Sequence, residues 1–265
     1  MLPITYKLWE NGAPGSDFEE PVIMYYKPFR KASDAAIVIF AGGAYLGRAD
    51  HEGEGYAHVL NSYGISAFVV SYRVAPACFP DQLLDARRAV RFVRANAEKF
   101  GIDAGKVAVM GSSAGGHLAA LVSTYRDSVD GEGVDEIDSI DYIPNAQILC
   151  YPVISSDERI FHERSFLSLL GNRYGEKEKF SPELIADKKS PKAFIWHTSD
   201  DAAVDVENSY RYASALHRVG VPCEVHVFPN GPHGLGTATE RPHVAQWTGL
   251  LKNWLMYIEY IRFEK

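Results

Sequence analysis

Short apolar runs alternate with amphipathic stretches along most of this chain. The runs are rich in β-branched residues and occupy positions 22–26, 36–41, 65–71, 107–111, 146–151, 193–197 and 224–228. Continuous apolar runs of this length are typical of strands that are buried on both faces of a sheet. The pattern therefore predicts seven such strands. Segment 4–9 adds an eighth.

Amphipathic stretches with helical spacing lie between several of these runs. Apolar residues recur in steps of three and four in one stretch between two runs, at Leu83, Ala86, Val90, Val93, Ala97 and Phe100, and in another after the last run, at Trp247, Leu251, Trp254, Ile258 and Ile261. Such steps place the apolar side chains on one helical face. Strands that alternate with helices predict an α/β fold, with a mostly parallel central sheet of about eight strands covered by helices on both faces. Segments 4–9 and 22–26 leave no room for a helix between them, so we expect them to form an antiparallel edge.

Residues 155–190 interrupt the alternation. They include a helix-like stretch at 166–170, followed by charged and turn-rich residues at 171–179. This segment is either a lid over the carboxyl edge of the sheet or a plain surface excursion. The sequence has no internal repeat, low-complexity tract or interdomain linker. Residues 1–265 are therefore predicted to form a single domain, which includes segment 155–190.

Composition and charge narrow the class of protein. The chain has 265 residues, of which 46% are hydrophobic and 23% charged, with a net charge of −7. These fractions are ordinary for a globular protein. The negative charge argues against a nucleic-acid partner, which would require a basic stripe.

Acidic residues are concentrated between positions 127 and 141. The seven acids there are Asp127, Asp130, Glu132, Asp135, Glu136, Asp138 and Asp141. A solvated surface loop is the simpler interpretation. A cation site is the alternative, although the spacing is not that of a calcium-binding loop.

The remaining bulk features point to a cytoplasmic location. Cys78, Cys150 and Cys223 are widely spaced and odd in number, which predicts reduced thiols and no zinc site. The N-terminal residues lack the pattern of a secretory signal, and no apolar run is long enough to span a bilayer. We therefore expect a cytoplasmic protein without a membrane partner.

A candidate nucleophile lies between a predicted strand and a predicted helix. Gly111-Ser112-Ser113-Ala114-Gly115 follows the apolar run and precedes a helix-like stretch at 116–123. A serine in the pattern G-x-S-x-G at a strand-to-helix turn is held on a tight elbow, with its hydroxyl clear of the chain. The helix that begins there directs its N–H groups at the same point. This setting predicts that Ser113 is a catalytic nucleophile.

An orienting acid and then a general base should follow later strands, in the chain order Ser, Asp, His. His233 lies in the loop 229–234 directly after the last predicted strand, whereas His117, His197, His217 and His226 fall inside predicted elements. Asp200 and Asp201 follow the preceding strand. We predict His233 as the base and Asp201 as its orienting acid, with Asp200 as a capping or loop-fixing residue.

The loop after the strand at 36–40 is the candidate oxyanion loop. It reads Ala41-Gly42-Gly43-Ala44-Tyr45, and its small residues allow backbone amides to approach a tetrahedral intermediate. One donor should be the N–H of Ala114 and another the N–H of Gly43 or Ala44. A tight turn that needs positive φ would explain the same residues, and the two interpretations are compatible.

These motifs resemble the α/β-hydrolase esterases of the hormone-sensitive-lipase-like and acetyl-xylan-esterase or feruloyl-esterase-like group. The resemblance covers most of the chain and is carried by AGGAY, HEGEGY, SYRVAP, GSSAGGHLAA, HTSDDAAV and FPNGPHGLG. The acid of this group is usually the one in D-x-x-V, which favours Asp201. Relatives often have His or Pro at the position of Ala41, a third Gly at Ala44 and a Pro at Asp205. The first two departures bear on the identity of the oxyanion donor.

The resemblance implies an α/β-hydrolase fold and hydrolysis of short acyl esters, often acetyl groups on sugars. We expect a small-molecule ester substrate such as an acetylated sugar or xylo-oligosaccharide, with no metal and no organic cofactor. Arylformamidase activity, or hydrolysis of another small amide or lactone, would use the same residues. A non-catalytic binding protein is a third hypothesis, which the presence of all three candidate residues disfavours. The aromatic content of 12%, which includes Trp9, Trp247 and Trp254, fits either a homo-oligomer interface or core packing.

Overall fold

Eight strands form one sheet in the computed structural model, which describes residues 2–261. The strands are β1 (Ile4–Lys7), β2 (Val22–Tyr26), β3 (Ala36–Phe40), β4 (Ser66–Ser71), β5 (Val107–Ser112), β6 (Ala146–Cys150), β7 (Lys192–Thr198) and β8 (Cys223–Phe228). Each predicted apolar run coincides with one of them. The predicted sheet of about eight strands is confirmed.

Helices occupy most of the connections. They are α1 (Asp50–Ser62), α2 (Asp81–Ala95), α3 (Ala97–Phe100), α4 (Ser113–Thr124), α5 (Glu163–Leu170), α6 (Pro182–Ile185), α7 (Glu207–Arg218), α8 (Pro242–Ala245) and α9 (Trp247–Tyr257). Two 3-10 helices cover Glu136–Ser139 and Gly171–Phe180. The helical stretch predicted over 83–100 is divided at Asn96, whose side-chain amide donates to the Phe92 carbonyl (2.9 Å).

The strand order is β1-β2-β4-β3-β5-β6-β7-β8. β1 pairs antiparallel with β2, and β2 pairs antiparallel with β4, whereas all pairs from β4 to β8 are parallel. The predicted antiparallel edge is therefore present. Because β3 and β5 to β8 run in the same direction, the loops that follow them meet at one edge of the sheet.

Each face of the sheet has its own hydrophobic core. In β3 every residue is buried, and Val38 belongs to one core while Ile37 and Ile39 belong to the other. This division follows from the alternation of side chains along a strand. Trp9, Trp247 and Trp254 are all buried in these cores, which is the packing role that the sequence left open.

The acidic segment 127–141 lies against arginines of α2. Arg87 contacts Glu132 (2.8 Å), and Arg88 contacts Asp135 (2.5 Å) and Asp138 (3.1 Å). The Asp138 side chain is almost fully buried and also accepts the N–H groups of the preceding turn. These acids are therefore paired with α2 rather than only solvated. Within residues 2–261 no group of three or more His, Cys, Asp or Glu side chains could hold a metal ion.

Segment 155–190 contains α5, the longer 3-10 helix and α6, and it is anchored to the body of the fold. The Phe79 N–H donates to the Leu169 carbonyl (2.7 Å), and the Phe180 ring stacks on Tyr125 with centroids 5.4 Å apart. Phe166 packs against His117 of α4, with centroids 5.1 Å apart. A lid function for this segment stays a prediction.

No helix among the described residues has both the length and the apolar character needed to cross a membrane. Cys78, Cys150 and Cys223 are all free thiols.

Candidate active site

Ser113 occupies the turn between β5 and α4. It has φ 52°, in the left-handed region that non-glycine residues rarely adopt, and only 5% of its surface is exposed. A Cβ on Gly115 would lie 2.1 Å from the Phe40 carbonyl oxygen, so α4 can pack directly on the end of β3 only because residue 115 is glycine. The strained elbow and the close helix packing are the features expected of a nucleophile elbow.

The side chains of Ser113, His233 and Asp201 form one hydrogen-bonded chain. His233 Nε2 lies 2.9 Å from Ser113 Oγ, and His233 Nδ1 lies 2.7 Å from Asp201 Oδ2. A carboxylate can only accept, so Nδ1 carries the proton of the neutral ring. Nε2 is then free to accept the serine hydroxyl proton.

The turn that carries Asp201 fixes its carboxylate. Oδ1 accepts the N–H groups of Ala203 (2.9 Å) and Val204 (3.0 Å), and Nε2 of the buried His197 lies 3.3 Å from Oδ2. Burial raises the pKa of Asp201, but the hydrogen bonds from His197, His233 and Val204 outweigh it and hold the pKa well below its usual range. The carboxylate therefore remains ionised beside His233.

Asp200 has a different role in the structure. Its Oδ1 accepts the N–H of Gly231 (2.7 Å) and so ties the loop after β7 to the loop that carries His233. The structure thus places Asp201, and not Asp200, against the imidazole. This contact agrees with the loop-fixing role that the sequence predicts for Asp200.

The candidate oxyanion loop turns sharply after β3. Gly43 has φ 140°, and a Cβ there would lie 2.3 Å from the Gly47 carbonyl oxygen, so this position requires glycine. Ala44 and Tyr45 follow with φ 54° and 58°. Among residues 2–261, no acceptor binds the N–H of Gly43 or of Ala44. Both amides are available to a ligand.

Ala114 is the second residue of α4. The first four N–H groups of a helix have no acceptor within the helix. The N–H of Ala114, together with those of Gly43 and Ala44, makes up the predicted set of oxyanion donors.

Buried polar contacts to other elements of the fold hold the oxyanion loop in place. The Tyr72 hydroxyl donates to the Ala41 carbonyl (2.6 Å), and the Tyr45 hydroxyl lies 2.8 Å from His117 Nδ1. His117 Nε2 lies 2.7 Å from the Phe180 carbonyl. Burial lowers the pKa of His117 to about 4, against a smaller opposing effect of the Phe180 hydrogen bond. The imidazole is therefore neutral at pH 7 and links the oxyanion loop to segment 155–190.

The structure adds Tyr151 and Glu52, which the sequence did not single out, to the surroundings of the site. The Tyr151 ring packs edge-on against His233 with centroids 5.1 Å apart, and Glu52 is buried behind the oxyanion loop. His162 comes from segment 155–190; burial lowers its pKa, and its electrostatic interaction with His233 acts in the same direction. Glu52 and His197 fall inside HEGEGY and HTSDDAAV, but one sequence does not distinguish them from their neighbours.

A depression of about 490 Å³ opens beside His233. Its lining combines polar side chains, among them Asp200, Asn230 and Arg241, with small and apolar residues such as Ala202 and Pro232. His233 is the residue that this depression shares with the hydrogen-bonded chain.

The fold and the arrangement of the site together define a protein of the α/β-hydrolase fold class. The chain belongs to the BD-FAE family, whose model matches residues 23–216. The matched range contains Ser113 and Asp201 and ends before His233. The resemblance to hormone-sensitive-lipase-like and acetyl-xylan-esterase-like enzymes is confirmed.

Two curated proteins and one crystal structure illustrate the similarity. The chain is 37% identical over 219 residues to endo-1,4-beta-xylanase B of Butyrivibrio fibrisolvens, covering 80% of this chain and 34% of that protein. It is 34% identical over 233 residues to an acetylxylan esterase of Xylanibacter ruminicola, covering 85% of this chain and 46% of that protein. The crystal structure of an acetyl ester-xyloside bifunctional hydrolase from Caldicellulosiruptor lactoaceticus is 41% identical, with a TM-score of 0.88, and the match covers 98% and 97% of the two chains. The chain thus spans less than half the length of these curated relatives.

Proposed function

We propose that this protein is a serine esterase that removes acetyl groups from acetylated sugars or xylo-oligosaccharides. The observation that carries the proposal is the hydrogen-bonded chain of Ser113, His233 and Asp201, with contacts of 2.9 and 2.7 Å, at a strained elbow. An elbow serine that reaches a base oriented by a carboxylate is the arrangement required for acyl transfer.

The first half of the reaction forms an acyl-enzyme. Ser113 Oγ attacks the ester carbonyl carbon while His233 Nε2 accepts the hydroxyl proton, and Asp201 stabilises the resulting imidazolium. The oxyanion of the tetrahedral intermediate is bound by the N–H of Ala114 and by the N–H of Gly43 or Ala44. His233 then donates the proton to the leaving sugar oxygen as the carbon–oxygen bond breaks.

The second half of the reaction releases the acid. Water attacks the acyl-enzyme carbonyl while His233 accepts one of its protons. The second tetrahedral intermediate collapses, the acid leaves, and the proton returns to Ser113 Oγ. Every proton transfer passes through one imidazole, so the mechanism needs no metal and no organic cofactor.

The choice of an acetylated sugar rests on two supports. The relatives include an acetylxylan esterase and an acetyl ester-xyloside hydrolase. The depression beside His233 has polar residues in its lining, including Asp200, Asn230 and Arg241, which suit hydrogen bonds to a hydroxyl-rich leaving group. A cytoplasmic location remains part of the proposal.

The nucleophile is tested by comparing Ser113→Ala with Ser112→Ala. The first change should lower kcat/KM on p-nitrophenyl acetate by about 10³-fold or more and abolish labelling by a fluorophosphonate probe. The second should retain most of the activity, because the Ser112 hydroxyl points away to Tyr56 (2.7 Å). A larger loss for Ser112→Ala would show that the elbow is wrongly placed.

The substrate class is tested with acetylated xylo-oligosaccharides, other acetylated sugars and formylkynurenine. We expect the highest kcat/KM on the acetylated sugars. Faster turnover of formylkynurenine would instead assign the protein as an arylformamidase. A wild-type protein without hydrolysis and without fluorophosphonate labelling would contradict the esterase function itself.

A further inference from the structure

We infer that Glu52 and Tyr151 form a buried clamp that fixes the oxyanion loop relative to the loop of His233. Both are positioning residues, since they act on the reaction through the groups they hold. The inference rests on the proposed esterase function and deepens it.

Glu52 holds the oxyanion loop. The residue is 2% exposed, and its two carboxyl oxygens accept from the Gly42 N–H (2.7 Å) and from the Tyr151 hydroxyl (2.8 Å). Within residues 2–261 no lysine or arginine lies at ion-pair distance, and Nε2 of the exposed His51 is 4.0 Å from the carboxyl group. A buried carboxylate without a cationic partner is costly unless its hydrogen bonds are complete. The two donors are therefore essential to the stability of this arrangement.

The contact with Glu52 also determines which amides face the substrate. A Cβ on Gly42 would lie 2.6 Å from Glu52 Oε2 and 3.0 Å from Ser113 Cβ, so residue 42 is tightly enclosed between them. Because the carboxylate engages the Gly42 N–H, that amide is withdrawn from the oxyanion site. The N–H groups of Gly43 and Ala44 are left to bind the developing charge.

Tyr151 holds the histidine loop. Its hydroxyl oxygen accepts the Gly236 N–H (2.8 Å), three residues after His233, and lies 3.0 Å from the Tyr56 hydroxyl. Tyr151 has φ 37°, a strained value for a residue with a side chain. Such strain persists where surrounding contacts determine the conformation. Here those contacts are the hydrogen bonds of its hydroxyl and the packing of its ring on His233.

The clamp thus joins two loops that lie nearly 200 positions apart in the chain and that supply different parts of the catalytic machinery. Gly42 precedes the oxyanion donors, whereas Gly236 follows the base. A misplacement of about 1 Å in such groups can lower a rate about 10²-fold. Both contacts act on groups engaged mainly in the transition state, so their loss should appear in kcat rather than in KM.

The test compares Glu52→Gln, Tyr151→Phe and the double variant with a matched control, Tyr212→Phe. Tyr151→Phe keeps the ring beside His233 and removes only the hydroxyl. The control also removes a buried hydroxyl. This hydroxyl donates to Gln147 (3.0 Å), and the bond joins α7 to β6 without involving the oxyanion loop or the histidine loop. On p-nitrophenyl acetate we expect each clamp variant to lose about 10- to 100-fold in kcat, with KM changed less than about 3-fold. Tyr212→Phe should keep wild-type kcat.

The rate of fluorophosphonate labelling should fall in parallel with kcat, because the phosphonyl oxygen binds the same donors. The double variant should lose no more than about 3-fold beyond the worse single variant, since both changes break one network. Circular dichroism shows which variants are folded. If Glu52→Gln does not fold, the kcat of Tyr151→Phe alone tests the clamp.

Four results would overturn the clamp. The first three are an unchanged kcat in folded clamp variants, a rise in KM without a loss in kcat, and an equal loss of kcat in Tyr212→Phe. Multiplicative losses in the double variant would show two independent effects and would also overturn it. Failure of the esterase function is separate, because it appears as an inactive, unlabelled wild-type protein.

Discussion

The buried imidazole of His117 should make the stability of this protein depend on pH. Its Nε2 faces the Phe180 carbonyl, which can only accept, so Nε2 carries the proton of the neutral ring. Nδ1 then accepts from the Tyr45 hydroxyl. Protonation of Nδ1 would put two donors face to face and a charge in a buried site.

The size and sign of the effect follow from the pKa of about 4 in the folded protein. An exposed histidine has a pKa of about 6.5, so between pH 6.5 and 4 the unfolded chain binds more protons than the folded one. The contribution to stability is therefore fully present above pH 6.5 and is lost as the pH falls towards 4. The difference, at about 1.36 kcal/mol for each pH unit, amounts to about 3 kcal/mol.

The measurement is urea unfolding of the wild type and of His117→Gln between pH 7.5 and 4.5. Glutamine offers one donor and one acceptor but does not titrate in this range. The carboxylates common to both proteins cancel in the comparison. Over this interval the wild type should lose about 2 to 3 kcal/mol more than the variant in its free energy of unfolding. Parallel stability curves would refute the reasoning.

Three further predictions concern the reaction. Asp201→Asn should lower kcat about 10⁴-fold, because the wrong histidine tautomer is then favoured. Asp200→Asn should lower kcat much less, since it weakens only the contact with Gly231. Equal losses would give the two aspartates the same role. Dialysis against EDTA should leave the rate unchanged, because His233 and backbone amides supply the proton transfer and the charge stabilisation, and a loss that added metal restores would contradict this. In a series of p-nitrophenyl esters, kcat/KM should fall from acetyl to longer chains, because the sequence near Ser113 has no long apolar stretch to line an acyl tunnel. Each methylene in a fitted apolar pocket is worth about 1 kcal/mol, so a steady rise to octanoyl would indicate a lipid esterase.

The strands could be predicted from the sequence because burial on both faces requires continuous apolar runs. β3 illustrates this, since all five of its residues are buried. The elbow at Ser113 was equally visible, because its neighbouring glycines leave a local pattern. Helix ends were less certain: the break at Asn96 depends on one side chain bonding to the backbone.

The supporting residues of the site could not be predicted, because their partners lie far away in the sequence. Glu52 and Tyr151 meet across 99 positions, and Asp138 meets Arg88 across 50. An acidic or aromatic residue has the same local signature whether it is solvated or buried against a distant donor. The expectation of a solvated acidic loop at 127–141 therefore missed the ion pairs with α2.

The position of the three candidate catalytic residues has a consequence for refolding experiments. Ser113, Asp201 and His233 follow β5, β7 and β8, and the serine and histidine are 120 positions apart. The site is complete only when the last strand has docked on the edge of the sheet. Recovery of hydrolysis after dilution from denaturant should therefore lag behind the return of helical circular dichroism, since pairing of distant strands is slower than local helix formation. The recovery of hydrolysis would therefore report when the last strand has docked, whereas circular dichroism would report the earlier formation of the helices.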